Sequence, residues 1–85
     1  MDKLIEFRKE IDNIDRKMIK LIEKRFEISR EIGKIKRENG FEVEDKKREN
    51  DIIENIISNS KFSREFIVNL FDLIFKESKS VQEKK

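Results

Sequence analysis

Cysteine and histidine are both absent from the 85 residues. Their absence removes disulfides, thiolate nucleophiles, imidazole acid–base chemistry and the usual ligands of a metal centre. Tyrosine and tryptophan are missing as well, so there is no phenolic acid and no indole to stack on a ligand. Proline does not occur, and glycine occurs twice, as Gly33 and Gly40. Few points remain where a helix could break, which predicts an almost wholly helical chain. No run of 18 apolar residues exists, and no apolar signal segment follows Met1. Neither a membrane span nor export is therefore expected, and the expected location is cytoplasmic. An enzyme of this composition works with arginine, lysine, carboxylates, serine, amides and backbone.

What is present is charge. Charged residues make up 47% of the chain, 21 basic and 19 acidic, for a net charge of +2. The two signs are interspersed, so no basic footprint for nucleic acid or a membrane surface stands out. The hydrophobic share is 35%, carried largely by 14 isoleucines with no alanine at all. That is material for a single small domain, near the size at which one core barely suffices.

From Leu4 the positions Leu4, Phe7, Ile11, Ile14, Met18, Leu21, Arg25, Ile28, Ile32 and Ile35 alternate in steps of three and four. Nine of these ten are apolar, a heptad seam well above the composition of the chain. The pattern predicts a first helix over about residues 2–38, roughly 50–55 Å long. No 85-residue globule is that wide, so much of the helix must pack against another chain or stand exposed. Ile5, Ile19, Ile22 and Phe26 broaden the apolar face beyond a two-stranded seam. Arg25 is the misfit. A guanidinium in a seam must meet an anion or lose its hydration uncompensated; it either sets register or binds a ligand. Ser29 and Lys36 lie along the same edge. Arg16, Arg30 and Arg37 fall on the side opposite the seam and are expected to be solvated.

Glu38-Asn39-Gly40-Phe41 ends the first helix, with Gly40 as a left-handed cap. Asp45, or Glu44 beside it, starts a second helix over about residues 45–59. Steps of four back from Ile56 and Ile57 reach Ile52 and Ile53, then Arg48 and Glu49. The apolar stripe thus turns charged in the first turn. Ser63 is the expected N-cap of a third helix over about residues 63–83, with Phe62 stapled to Ile67. Its face of Phe66, Ile67, Leu70, Phe71, Ile74 and Phe75 leads, in further steps of four, to Ser78 and Gln82. Each of the three helices therefore carries an apolar stripe that turns polar. Among the switched side chains, Arg25, Lys36 and Arg48 outnumber the acids Asp45 and Glu49. An inward pocket with excess positive charge suits a small anion. Glycine-rich phosphate loops are lacking, which favours a compact carboxylate or dicarboxylate over a nucleotide.

In these same positions the chain resembles the all-helical class of chorismate mutases. The matching stretches are Phe7 to Asp15, the surroundings of Arg25, Ile32-Gly33-Lys34-Ile35-Lys36, Asp45-Lys46-Lys47-Arg48-Glu49, and the pair Ser78 and Gln82. Each is weak alone; together, in order and at the family's spacing, they cover nearly the whole chain. The resemblance implies an all-α fold of three helices per chain, one very long, intertwined as a six-helix homodimer with two equivalent sites. It implies conversion of chorismate to prephenate, on the branch of the shikimate pathway toward phenylalanine and tyrosine. It also implies Arg8, Arg25, Lys36, Asp45, Arg48, Glu49, Ser78 and Gln82 as site residues, with Arg8 contributed across the dimer interface. Arg8 and Arg25 are about 25 Å apart along one helix, too far to grip one small molecule from the same chain.

The implied chemistry suits the composition. The rearrangement is a single pericyclic step needing no nucleophile, general base, metal or cofactor. The tasks left are holding a reactive conformer and stabilising charge on the ether oxygen as its bond breaks. By the resemblance, Arg8 and Arg25 clamp the carboxylates, and Lys36 and Gln82 donate to the ether oxygen. Glu49, with the backbone near Asp45, holds the ring hydroxyl; Arg48 orients that cluster and Ser78 bonds a carboxylate. Gln82 puts the chain with members that carry a neutral amide there. Two alternatives compete: an isochorismate-pyruvate lyase of the same fold, and a non-catalytic helical interaction module whose polar residues only set register. The module predicts no stabilisation by a dicarboxylate; a pocket predicts a clear one.

Overall fold

The computed structural model describes residues 2–83. It contains three helices, α1 (Asp2–Glu38), α2 (Lys46–Ser58) and α3 (Arg64–Glu83), and no strand among the described residues. The dimensions, 57 × 28 × 16 Å with a radius of gyration of 16.4 Å, are those of a rod with a thickened end. A compact chain of this length would have a radius near 12 Å. No helix is long and apolar enough to cross a membrane.

The helix ends follow from local chemistry. At the end of α1 the Gly40 N–H donates to the Arg37 carbonyl at 3.3 Å and the Phe41 N–H to the Lys36 carbonyl at 2.8 Å. With Gly40 at φ 69°, this is a complete Schellman turn, and it reverses the chain. Asp45 caps α2, its Oδ1 accepting the Arg48 N–H at 3.0 Å. Ser63 caps α3, its Oγ accepting the Phe66 N–H at 3.2 Å. Phe62 sets its ring 5.0 Å from that of Phe66. The turn between α2 and α3 is tied by Arg64, whose two guanidinium nitrogens donate to Glu54 Oε1 and Oε2 at 2.8 and 3.2 Å.

Packing is concentrated at one end. The helix α3 packs on the C-terminal half of α1 and on α2, whereas α1 and α2 do not pack on each other. The face that α1 offers to α3 is not the heptad seam. It is the adjacent stripe of half-buried Ile22 and Phe26 and buried Ser29 and Gly33. At Gly33 the backbones come so close that a Cβ would stand 2.8 Å from the Gln82 Cα and carbonyl oxygen. Ile67, Phe75 and Val81 complete the small apolar core. All nine apolar seam residues stay exposed, from Leu4 at 45% through Leu21 at 69% to Ile35 at 55%. Every described residue from 2 to 21 is exposed, so the N-terminal half of α1 is an apolar rod without a neighbour.

Candidate active site

Where the three helices converge they enclose a cavity of about 420 Å³. Its floor is Phe75 with Ile28, Ile32 and Ile52, and its polar wall comes from every helix. Helix α1 supplies Arg25 and Lys36, the start of α2 supplies Asp45, Arg48 and Glu49, and α3 supplies Ser78, Lys79 and Gln82. Seven of the eight residues singled out from the sequence therefore meet in one place. The eighth, Arg8, is exposed on the free half of α1, 17 residues and about 25 Å from Arg25 along the helix.

The geometry prepares donors. Arg25 Nη1 donates to Ser78 Oγ at 2.9 Å, which leaves the serine proton and the other guanidinium N–H groups for a ligand. The Arg25 guanidinium stands 6.0 Å over the Phe75 ring, at the outer limit of a useful cation–π contact. Burial first, and the charge of Arg48 second, push the Arg25 pKa below its usual value. Arginine stays protonated regardless; the shift measures a cation short of compensating charge. An anion between Arg25 and Arg48 would offset their mutual repulsion and supply the opposite charge that burial denies Arg25.

Lys36 Nζ donates to the Val43 carbonyl at 2.7 Å and to Gln82 Oε1 at 2.9 Å. An ammonium has three protons, so one remains for the cavity. Because Lys36 can only donate, the contact also fixes the Gln82 amide: its oxygen is held and its two N–H groups are left to give. Gln82 is buried and gripped a second time through its main chain, where Arg37 Nη1 donates to the carbonyl at 2.5 Å. Arg37 is exposed, as expected of its side of the helix, and makes this bond as well. Arg37 stands one turn beyond Gly33, on the stripe that meets α3, and its long side chain reaches the last turn of that helix. Arg16 and Arg30 lie on the exposed surface too.

On the α2 side, Arg48 is exposed at the cavity rim while Glu49 is half-buried. The Asp45 carboxylate is engaged as the helix cap. Lys79 was not anticipated. Its ammonium lies 3.1 Å from Glu49 Oε2 and 3.3 Å from Glu44 Oε1, and those bonds, Glu49 first, hold its pKa above the usual lysine value. Val43 was also missed, because a main-chain acceptor carries no residue-type signal. With Lys79 counted, four cations and two carboxylates line the cavity, a net charge of +2. The arrangement can bind a compact dianion over an apolar floor. Among the described residues no cluster of acidic side chains could hold a metal ion.

An all-helical chain with a net-cationic cavity lined from all three helices is the class that fold and site define. The model of the chorismate mutase type II family matches residues 7–83; the chain belongs to that family, whose members are isomerases. It is 29% identical to the chorismate mutase of Methanocaldococcus jannaschii over 85 residues, covering 96% of this chain and 86% of that one. It is 37% identical to the bifunctional chorismate mutase/prephenate dehydratase of Buchnera aphidicola from Acyrthosiphon pisum, over 95% of this chain but only 22% of that protein. A bifunctional protein of the same description from Aquifex aeolicus is 31% identical over 99% of this chain and 25% of its own length.

Proposed function

We propose that the chain catalyses the rearrangement of chorismate to prephenate, as a symmetric homodimer in which Arg8 of the partner subunit completes each cavity. The observation that carries this reading is the cavity itself. Its net charge of +2 complements a dicarboxylate, and the donors that it holds ready are aimed without any nucleophile or titrating base. Arg25 and Ser78 bind one carboxylate, and Arg8 of the partner subunit closes on the other. The remaining Lys36 proton and the Gln82 amide N–H donate to the ether oxygen. That oxygen gains charge only as its bond to carbon lengthens, so both donors act on the transition state. Glu49 accepts the ring hydroxyl. Arg48 adds positive potential at the rim, and the apolar floor of Ile28, Ile32 and Phe75 excludes water from the reacting atoms.

The dimer follows from surface chemistry. An apolar rod from Leu4 to Leu21 is far larger than the apolar patches monomers leave in water. Antiparallel pairing of two α1 helices about a twofold axis brings the Arg8 end of one to the cavity end of the other. If Arg8 of the partner subunit stands level with Ser29, the axis passes near Met18 and Ile19, about midway between those positions. The same pairing covers Ile28, Ile32 and Ile35, which border the open side of the cavity. The direct test is loss of chorismate absorbance with purified protein, with prephenate identified as the product. Turnover of isochorismate to pyruvate and salicylate in its place would move the site to the lyase reading. Failure of both substrates, together with no thermal stabilisation by prephenate, would reject the enzyme.

A further inference from the structure

The eight residues singled out from the sequence leave one cavity-lining charge unassigned, Lys79. It is not a loose surface lysine. Its side chain retains only 28% exposure, and its ammonium bridges two carboxylates on different segments. One is Glu49 of α2, itself 19% exposed at the side chain. The other is Glu44 of the loop between α1 and α2, whose Oε1 it shares with Lys46, at 3.0 Å from that ammonium. The same loop is pinned next door by the bond from Lys36 to the Val43 carbonyl. The ion pair on Glu49 runs through one oxygen, Oε2, which meets Lys79 at 3.1 Å.

We infer that Lys79 is a positioning residue, fixing Glu49 through Oε2 so that Oε1 is presented to the substrate hydroxyl. A carboxylate inside a site for a dianion repels the ligand it must bind. Pairing it with an ammonium cancels that repulsion while leaving one oxygen free to accept. Glu44 completes the device by drawing the Lys79 ammonium toward the loop, so that the lysine does not capture a substrate carboxylate itself. The other charges lining the two cavities beside the pair are Asp45, Lys46 and Arg48 at the start of α2, Asp72, Lys76 and Glu83 from α3, and Arg25 and Lys36 from α1. None of them makes an ion pair with Glu49.

This inference rests on the mutase reading and deepens it, so the experiment separates the two. Lys79→Met, Glu49→Gln and the double variant are compared with wild type for kcat and KM on chorismate, with helicity and dimer content as controls. Lys79→Met is expected to lower kcat/KM about tenfold, mainly through KM, whereas in the Glu49→Gln background the same change costs less than about twofold, because interacting residues are non-additive. Lys79→Arg restores most of the loss. Equal effects of Lys79→Met in both backgrounds, or no effect on kcat/KM at all, would overturn the inference and leave the mutase reading intact. Absence of wild-type turnover would overturn the mutase reading. In that event the Lys79 ammonium, titrated by NMR, still decides the pairing: Glu49 is the first cause that holds its pKa above the usual lysine value, so that pKa falls when Glu49 becomes Gln, and an unchanged titration would refute the contact.

Discussion

The two halves of α1 share one heptad pattern and have opposite surroundings. Residues 22–36 meet α3 through Ile22, Phe26, Ser29 and Gly33, and they carry Arg25 and Lys36 into a cavity. Residues 2–21 meet nothing, although they hold the same apolar spacing and carry Arg8. A continuous seam therefore does not mean a single partner. In the C-terminal half the chain's own helix uses the stripe next to the seam, and the apolar residues of the seam itself stay exposed along its full length. Burial divides in the same way. Half of the strongly buried named side chains are polar, namely Ser29, Ser78 and Gln82, against Ile67, Phe75 and Val81. The folded end of the rod is organised around a site at least as much as around an apolar core.

The contrast can be broken most severely at the seam. Met18→Glu puts a carboxylate on the free rod beside the proposed twofold axis, where it would face its own symmetry mate. Sedimentation should show loss of the dimer, and activity should fall to background. In the other half the largest effect belongs to Lys36→Ala. Removing a donor used in the transition state costs about 10²–10³ in rate, so kcat should fall far more than KM rises.

Next comes Gln82→Glu. An ionised acid cannot donate to the ether oxygen, and Lys36 beside it favours the ionised form. The variant should therefore be active only at low pH and lose rate as pH rises through that acid's pKa. Wild type, with an amide there and no histidine, should stay nearly flat between about pH 5 and 8. Rate–pH profiles of the two proteins check both statements. The smallest effect is expected at Gly33→Ala, where a new Cβ meets the Gln82 backbone at 2.8 Å. Crowding of this kind costs about 1–3 kcal/mol, read as a lowered urea midpoint. Turnover should fall with it, since the displaced residue is Gln82.

Much of this was legible in the sequence because helices are periodic. Steps of three and four found the polar ends of three stripes, and those ends are what converge on the cavity. Gly40 and Asp45 marked their caps through chemistry confined to a few residues. A wheel, however, gives direction around one helix and says nothing of which neighbour lies there. For that reason the seam concealed the stripe that α3 uses, and the bond from the exposed Arg37 to the Gln82 carbonyl was not foreseen. Lys79 and Glu49 are thirty residues apart, on different helices, so no local spacing could link them. Gly33, on the same face one turn before Arg37, is where two backbones come close, and the sequence pattern did not single it out.

The central claim is that one site draws on both halves of α1 from two different chains, and subunit mixing tests it most directly. Arg8→Ala and Arg25→Ala proteins, each inactive alone, are mixed in equal amounts under conditions that exchange subunits. In a mixed dimer one site carries both lesions and the other carries neither. Random exchange should then restore about a quarter of wild-type activity. Mixed dimers that form and remain inactive would contradict a shared site.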